Sequence, residues 1–304
     1  LLAAEEQPEP ALLAATAVRT LYTLWWEAEA ANPSETQQLE LHRLALAGGE
    51  TAIAEEVADE LAGHWNRADQ YRYREVIDLV TRTVAQSANA RLWNQIGYAK
   101  RQLGEMQQAI DHYQAALAGC PADEQALQAM ILNNIGRVYD ALGDKEEALR
   151  FYNLALPLRR QTGDKGGEAR TLNNIGRVYD DLGDKEEALR FYNLALPLSR
   201  QTGDKGGEAT TLNNIGAVYD ALGEIEKSLD YMKKAATIRQ EIGAAWDEVI
   251  SQWWLGVLYQ KLGNGAAAVI SLERGITLAT RLGHPNLPQL QALRTQINPP
   301  EIDK

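Results

Sequence analysis

The sequence predicts an all-α solenoid built from antiparallel helix pairs, and three observations predict it. Residues 131–170 read ILNNIGRVYDALGDKEEALRFYNLALPLRRQTGDKGGEAR. They return as residues 171–210, changed only at Ile131/Thr171, Ala141/Asp181, Arg159/Ser199 and Arg170/Thr210. A fixed forty-residue period marks units that bury their apolar faces against their neighbours. Within each copy the apolar residues recur at three- and four-residue steps, the spacing of a helical face. Alanine, leucine and glutamate dominate, and no run of strand-forming residues stands out.

One copy shows the local logic. Leu172, Ile175, Gly176, Tyr179 and Leu182 form the stripe of a first helix, which Gly183-Asp184 breaks. Asp184 can cap the next helix, with Glu187 in capping-box position. Ala188, Leu189, Tyr192, Ala195 and Leu196 make the inner face of that second helix. Gln201-Thr202-Gly203-Asp204 ends it, and Gly206-Gly207 is expected to loosen the join to the next copy. Gly176 sits mid-helix, where glycine costs ~1 kcal/mol against alanine. Its retention implies a facing backbone close by, with Ala188 and Ala195 as the matching shallow surface. Pro157 and Pro197 fall inside second helices, so a kink or a reset last turn is expected there.

The order Leu172, Ile175-Gly176, Tyr179, Ala188, Tyr192, Ala195 resembles the tetratricopeptide repeat. The usual unit has thirty-four residues, and this one carries six more between its second helix and the next unit. The longer unit is similar to repeats of Pins/LGN adaptors and kinesin light chains. It is also similar to arrays in bacterial signalling proteins, including STAND-type NTPases and chains associated with CHAT proteases. The resemblance implies a right-handed superhelical solenoid whose first helices line a concave, partner-binding surface.

In chain order, residues 1–50 fit no repeat well. Residues 1–9 are expected to be frayed. Pro10 opens a helix through Leu13, Val18, Leu21, Tyr22, Trp25 and Trp26 to about Ala31. Ser34 and Gln37 form a cap pair for a second helix, which Gly48-Gly49 stops. Six units follow at 51–89, 90–128, 129–168, 169–208, 209–248 and 249–288. Tyr71-Arg72-Tyr73-Arg74 reads as an insertion in the first unit's turn, and Lys100 stands where the second unit should carry tyrosine. Residues 289–304 hold a capping helix, roughly 287–297 with Leu287, Leu290, Leu293 and Ile297, and a tail ended by Pro299-Pro300.

The face beside the buried stripe is set by steps of four and three: Asn173, Arg177 and Asp180. The trio recurs as Asn133, Arg137 and Asp140, and partly as Asn213, Ala217 and Asp220. Asn134, Asn174 and Asn214 lie one step further round, and Arg170 precedes the trio by a turn. The resemblance implies that such positions grip a peptide. A carboxamide offers donors and acceptors, so a row of them can hold an extended backbone without reading its side chains. The arginines could bind carboxylates. The alternative is structural: Asn173 bonds the neighbouring helix, and the Arg/Asp pairs form a solvated ladder worth ~0–1 kcal/mol each. Trp253 and Trp254 replace the asparagine pair in the last unit. Trp253 is placed in the groove and Trp254 in partial burial, while Trp25, Trp26, Trp65 and Trp93 read as core.

The net charge of −12 argues against nucleic acid or an anionic membrane as partner. No apolar run approaches the roughly 20 residues of a bilayer span. The single cysteine, Cys120, excludes an internal disulfide framework and fits a reducing, cytoplasmic setting. The first residue is Leu1, which suggests a fragment or processed product. Gly163-Asp164-Lys165-Gly166-Gly167 lacks the phosphate-loop pattern, and His42, His64, His112 and His284 have no metal-ligand spacing, so neither cofactor nor metal is expected. No catalytic constellation is visible. The reading is a scaffold or sensor module that binds a peptide or protein. Its alternatives are a spacer or self-assembly element, for which homo-oligomers are open to near-identical repeats, and a regulatory segment of a STAND or CHAT enzyme.

Overall fold

A computed structural model describes residues 10–27, 32–67, 71–85 and 89–297. Among the described residues there are fifteen α-helices and no strand. The first eight are α1 (Pro10–Tyr22), α2 (Glu35–Gly48), α3 (Thr51–Trp65), α4 (Tyr73–Val84), α5 (Ala90–Gln102), α6 (Met106–Ala118), α7 (Gln125–Leu142) and α8 (Lys145–Gln161). The rest are α9 (Lys165–Asp181), α10 (Lys185–Thr202), α11 (Lys205–Ala221), α12 (Ile225–Glu241), α13 (Ala245–Lys261), α14 (Gly265–Leu282) and α15 (Leu287–Ile297). They fall into two compact units, Leu1–Ala155 and Leu156–Lys304.

In the first unit, α1 and α2 pack as a hairpin, so residues 1–50 contribute a helix pair of their own. Ser34 and Gln37 close the expected capping box, which satisfies two end donors reciprocally. After α1 the chain makes a π-helical turn at Thr23–Glu27. Trp25 and Trp26 are half-buried there instead of core, and the Trp26 indole donates to Glu56 at 2.8 Å. Trp65 is core. Residues 1–9, Ala31 and Pro299-Pro300 lie outside the described residues. Trp93 is half-buried and stacks on His112 at 5.4 Å, while Lys100 pairs with Glu105 at 2.7 Å.

The second unit shows why each hairpin turns where it does. The Gly183 and Asp184 amides return to Asp180 and Tyr179 carbonyls at 3.0 and 2.9 Å, with Gly183 at φ 85°. Those bonds satisfy the last carbonyls of α9. Asp184 caps α10 by accepting from the Glu187 amide at 3.1 Å. The reciprocal half of the box is absent, because the Glu187 carboxylate holds Arg190 instead, at 2.8 Å. Leu182, expected on the buried stripe, is 56% exposed. The turn into Gly183 swings it away from the facing helix.

Two further expectations are corrected. Gly206-Gly207 is no loose join: α11 begins at Lys205, with Asp204 as its cap. The Asp204 carboxylate accepts from the Gly207 amide at 2.8 Å, and a Cβ on Gly207 would stand 2.6 Å from that carboxylate. The glycine therefore makes room for its own cap. Units consequently start about four residues before the assigned boundaries, at Gln125, Lys165, Lys205 and Ala245. The prolines do not reset the last turn either. Helix α10 continues past Pro197 to Thr202, and α8 past Pro157 to Gln161. Pro197 and Asn193, whose carbonyl loses its helical donor, are both exposed, so water can replace the missing bond.

The hairpins close on small-against-large contacts. Tyr192 and the Ala188 carbonyl meet Gly176, where a Cβ would stand 2.8 and 3.2 Å away. Tyr179 stacks on Phe191 at 5.4 Å, with the Arg190 guanidinium 4.1 Å above that ring. Helix α15 spans the expected residues and buries Leu290 beside Leu272 and Ala279.

Candidate functional site

The expected ligand-facing residues divide between the two units. In the first, α5 and α7 set Asn94 and Asn134 side by side, with Asn134 Nδ2 donating to Asn94 Oδ1 at 3.0 Å. Asn133 is half-buried and engaged. Arg137 is half-buried too, and desolvation followed by the charge of Arg101 lowers its pKa. Asp140 does not reach an open face. Its side chain is 1% exposed and pairs with Lys145 Nζ at 2.5 Å. The lysine lies just beyond the turn, so the ion pair staples α7 to α8.

In the second unit, Asn173 Oδ1 accepts from Asn214 Nδ2 at 3.1 Å and lies 3.2 Å from the Thr211 hydroxyl, whose single proton it shares with the Gly207 carbonyl at 2.9 Å. Both partners lie on α11. The carboxamides therefore do bond a neighbouring helix, but through side chains and not through backbone. Asn173 and Asn214 remain half-exposed. An amide has two donors and two lone pairs, so the Asn173 amino group and the Asn214 oxygen keep capacity for another molecule. Asn174 is half-buried, Arg177 is exposed, and both are engaged. Arg170 is exposed and lies near Asp164; desolvation alone would raise that carboxyl's pKa, but the Gly167 amide, Arg159 and, least, Arg170 together lower it. Asn213 accepts a long 3.4 Å bond from Arg239, a buried guanidinium whose pKa desolvation lowers.

The acids of the trio pair with lysines, not arginines: Asp180 with Lys185 at 2.5 Å, and Asp220 with Lys261 at 2.6 Å. Trp253 and Trp254 are both half-buried and tilt together at 5.0 Å. Trp253 packs against the cluster of Val249, Leu272, Ala279 and Leu290, so it is fixed to the end helices and is no free-standing anchor. Trp246 is the exposed one, at 50%, against buried His284. Among the described residues no cluster of histidine, cysteine or acids could hold a metal ion, and no helix is long and apolar enough to cross a membrane.

Several residues of these faces were not singled out from the sequence. Asn94 stands forty positions before Asn134, in repeat phase, which is the signal that could have found it. Arg101 and Tyr113 belong to the same neighbourhood as Arg137. Glu208 is buried between Arg200 and Lys205 at 2.8 and 3.0 Å, and Glu248 is buried against Arg274 at 2.6 Å.

With this architecture in place, comparison with known proteins is decisive at the family level. A tetratricopeptide repeat model matches residues 89–161, 154–201 and 167–241. The chain belongs to the tetratricopeptide repeat family. No curated protein matches it in sequence. Among solved structures, BtubC (BKLC) from P. vanneervenii is 20% identical with a TM-score of 0.58, over 84% of this chain and 95% of that one. A Rap protein complexed with competence and sporulation factor is 19% identical with a TM-score of 0.64, over 95% and 86%. The STAND protein with a tetratricopeptide repeat sensor from Pyrococcus horikoshii is 16% identical with a TM-score of 0.53, over 96% of this chain and 50% of that one. At these identities the likeness is one of fold. Tetratricopeptide repeats are protein-interaction modules, and this chain has their hairpins, their glycine–tyrosine contacts and their polar first-helix faces.

Proposed function

We propose that the chain is a scaffold or sensor module that holds a peptide or protein segment against the polar faces of its first helices. The observation that carries this is the pair Asn173 and Asn214. They are bonded to each other and half-exposed, and that bond leaves the Asn173 amino group and the Asn214 oxygen with capacity for a further partner. Preset carboxamides of this kind suit a peptide backbone, whose amides and carbonyls need partners of both kinds. The Rap structure, solved in complex with competence and sporulation factor, lends support by fold. In this reading Asn133, Asn134, Arg137, Asn174, Arg177, Asn213 and Arg170 contribute to ligand contact, while Asp140 and Asp180 hold hairpins together. Trp253 shapes the end of the second unit. The larger signalling context belongs to the same proposal.

One observation favours a second, structural reading: the Asn214–Asn173 bond by itself could serve only to fasten α11 to α9. An experiment separates the two. Peptides selected from a random display library against the intact chain should lose at least about tenfold in affinity for Asn173→Ala/Asn214→Ala, with helicity retained. If nothing is selected, or selected peptides bind the variant equally while its melting temperature falls sharply, the asparagines are fasteners and the recognition reading is wrong.

A further inference from the structure

We propose that a pocket where α10, α11 and α12 meet binds a small organic phosphate, a phosphate monoester carried on an apolar body. The pocket measures about 350 Å³. Arg200 of α10, Lys205, Glu208 and Leu212 of α11, and one stripe of α12 between residues 230 and 238 line it. It is separate from the asparagine-bearing faces: Asn213 and Asn214 are turned from Leu212 by about 100° and 200° around the axis of α11. Leu212 and Ile238, 1% and 9% exposed, give it an apolar floor. The volume is that of a small-molecule site. It equals about a dozen waters at ~30 Å³ each, so a bare phosphate fills only part of it.

Charge is the second observation. The chain has a net charge of −12, yet this pocket is positive: four cations, Arg200, Lys205, Lys233 and Lys234, line it against two acids, Glu208 and Asp230. Glu208 builds the site and does not oppose it. Its side chain is 7% exposed, and its two oxygens are taken by Arg200 Nε at 2.8 Å and Lys205 Nζ at 3.0 Å. Held by Nε, the Arg200 guanidinium keeps both Nη groups without a partner among the described residues. On the α12 wall, Lys234 is tied to Asp230 at 2.6 Å. Lys233 forms no ion pair among the described residues, and its ammonium rests 5.2 Å from the Tyr259 ring centroid. A planar fork thus stands on one wall and an uncommitted ammonium on the other. A dianionic phosphate has oxygens enough to meet both.

The duplication supplies an internal comparison. One copy earlier, Arg160, Lys165 and Glu168 stand at the places of Arg200, Lys205 and Glu208. Arg160 Nε holds Glu168 in the same way, at 2.6 Å. The α10 positions that match Lys233, Lys234 and Thr237 are Asn193, Leu194 and Pro197, with no cation among them. The arginine–glutamate pair is therefore shared scaffold, and the second charged wall comes from α12. That wall departs from the copied sequence while the faces of α9 and α11 keep their asparagines.

The test is titration calorimetry on the intact chain at fixed ionic strength and about pH 7.5, where a phosphate monoester with a second pKa of about 6 is dianionic. Phenyl phosphate is the probe. Inorganic phosphate, benzoate and phenol separate the contributions of charge, oxygen number and apolar body. Phenyl phosphate should bind saturably at one site, at least about fivefold tighter than inorganic phosphate or benzoate, with no response to phenol. Arg200→Gln should weaken it at least about fivefold. Lys233→Gln breaks no ion pair, so it should do the same with an unchanged melting temperature, and Lys233→Arg should retain binding. Lys227→Gln removes a lysine of the same helix outside the pocket and should leave affinity as it was. No saturable binding, inorganic phosphate or benzoate as tight as phenyl phosphate, or equal weakening by Lys227→Gln would overturn the site. None of these variants touches the asparagines, so the peptide reading stands or falls by its own experiment.

Discussion

A Cβ added at Gly176 would meet the Tyr192 ring at 2.8 Å and the Ala188 carbonyl at 3.2 Å. Neither neighbour yields easily, since Tyr192 is fully buried and the carbonyl is backbone. Overpacking of this kind costs about 1–3 kcal/mol, against ~1 kcal/mol gained from alanine's helix propensity. Gly176→Ala should therefore lower stability by up to about 2 kcal/mol in urea titration. Gly216 faces the flexible Met232 instead, at 3.0 Å. Gly216→Ala should cost clearly less, and equal costs would show that the rigid ring is not what matters. His42 gives a pH prediction at the same scale. Its Nε2 lies 2.8 Å from the Thr83 hydroxyl, which spends its own proton on the Leu79 carbonyl, so neutral His42 is the donor. Burial, with a smaller contribution from Arg82, lowers its pKa to about 4 from 6.5. The folded state thus binds the proton less readily than the unfolded chain. The stabilisation is complete above about pH 6.5 and is lost as pH falls toward 4, on the order of 3 kcal/mol in all. His42→Asn should flatten the fall in stability across that window. An unchanged slope would assign it to other groups.

At the scale of helices, Pro197 offers the clearest handle. Helix α10 continues past it to Thr202, with Pro197 exposed. Alanine there would restore a donor for the Asn193 carbonyl and remove the ring's crowding. Proline is roughly 3 kcal/mol worse than alanine in a helix interior. Part of that is already absorbed near the helix end, so Pro197→Ala should raise stability by about 1–2 kcal/mol. A loss would mean that the ring makes a contact worth more than the bond. Helix identity, the Ser34–Gln37 cap and the Leu287–Ile297 cap helix were legible because each follows from local spacing. The starts of α9 and α11 were not. Glycine pairs ordinarily mark loops, and here Gly167 and Gly207 are dictated by the volume of Asp164 and Asp204 folded back over the first turn. The ligand-facing rows were legible as a face, because position on a helix follows from residue number. Their bonds were not. Whether Asn173 meets Asn214 depends on how far one hairpin is displaced along the next, and no spacing within a helix encodes that. The fate of Asp140 could have been read, since Lys145 lies where a turn of that length brings it back.

For the whole molecule, the duplication makes a prediction about register. Residues 131–170 and 171–210 differ at four positions, and two of these, Ile131/Thr171 and Arg159/Ser199, are buried in both copies. Deleting 171–210 would join Arg170 to Thr211 in repeat phase. The contacts that α11 now receives have substitutes in the earlier copy. Asn133 replaces Asn173 beside Thr211 and as acceptor for Asn214, while Arg160 keeps its own partner Glu168. Both buried changes are also provided for, since Thr211 takes the position of Thr171 one repeat beyond Ile131. Arg159 already lies over Gly167, where a Cβ would meet its Nε at 2.6 Å, and both residues are kept. Units that contact only their neighbours contribute nearly additive stability. The shortened chain should therefore fold cooperatively, with unchanged ellipticity per residue and a melting temperature lower by a few degrees. Circular dichroism and thermal melting decide it: an aggregated or non-cooperative product would show that the repeats are not interchangeable, and that the four differences carry structural information the register argument assigns to the shared residues.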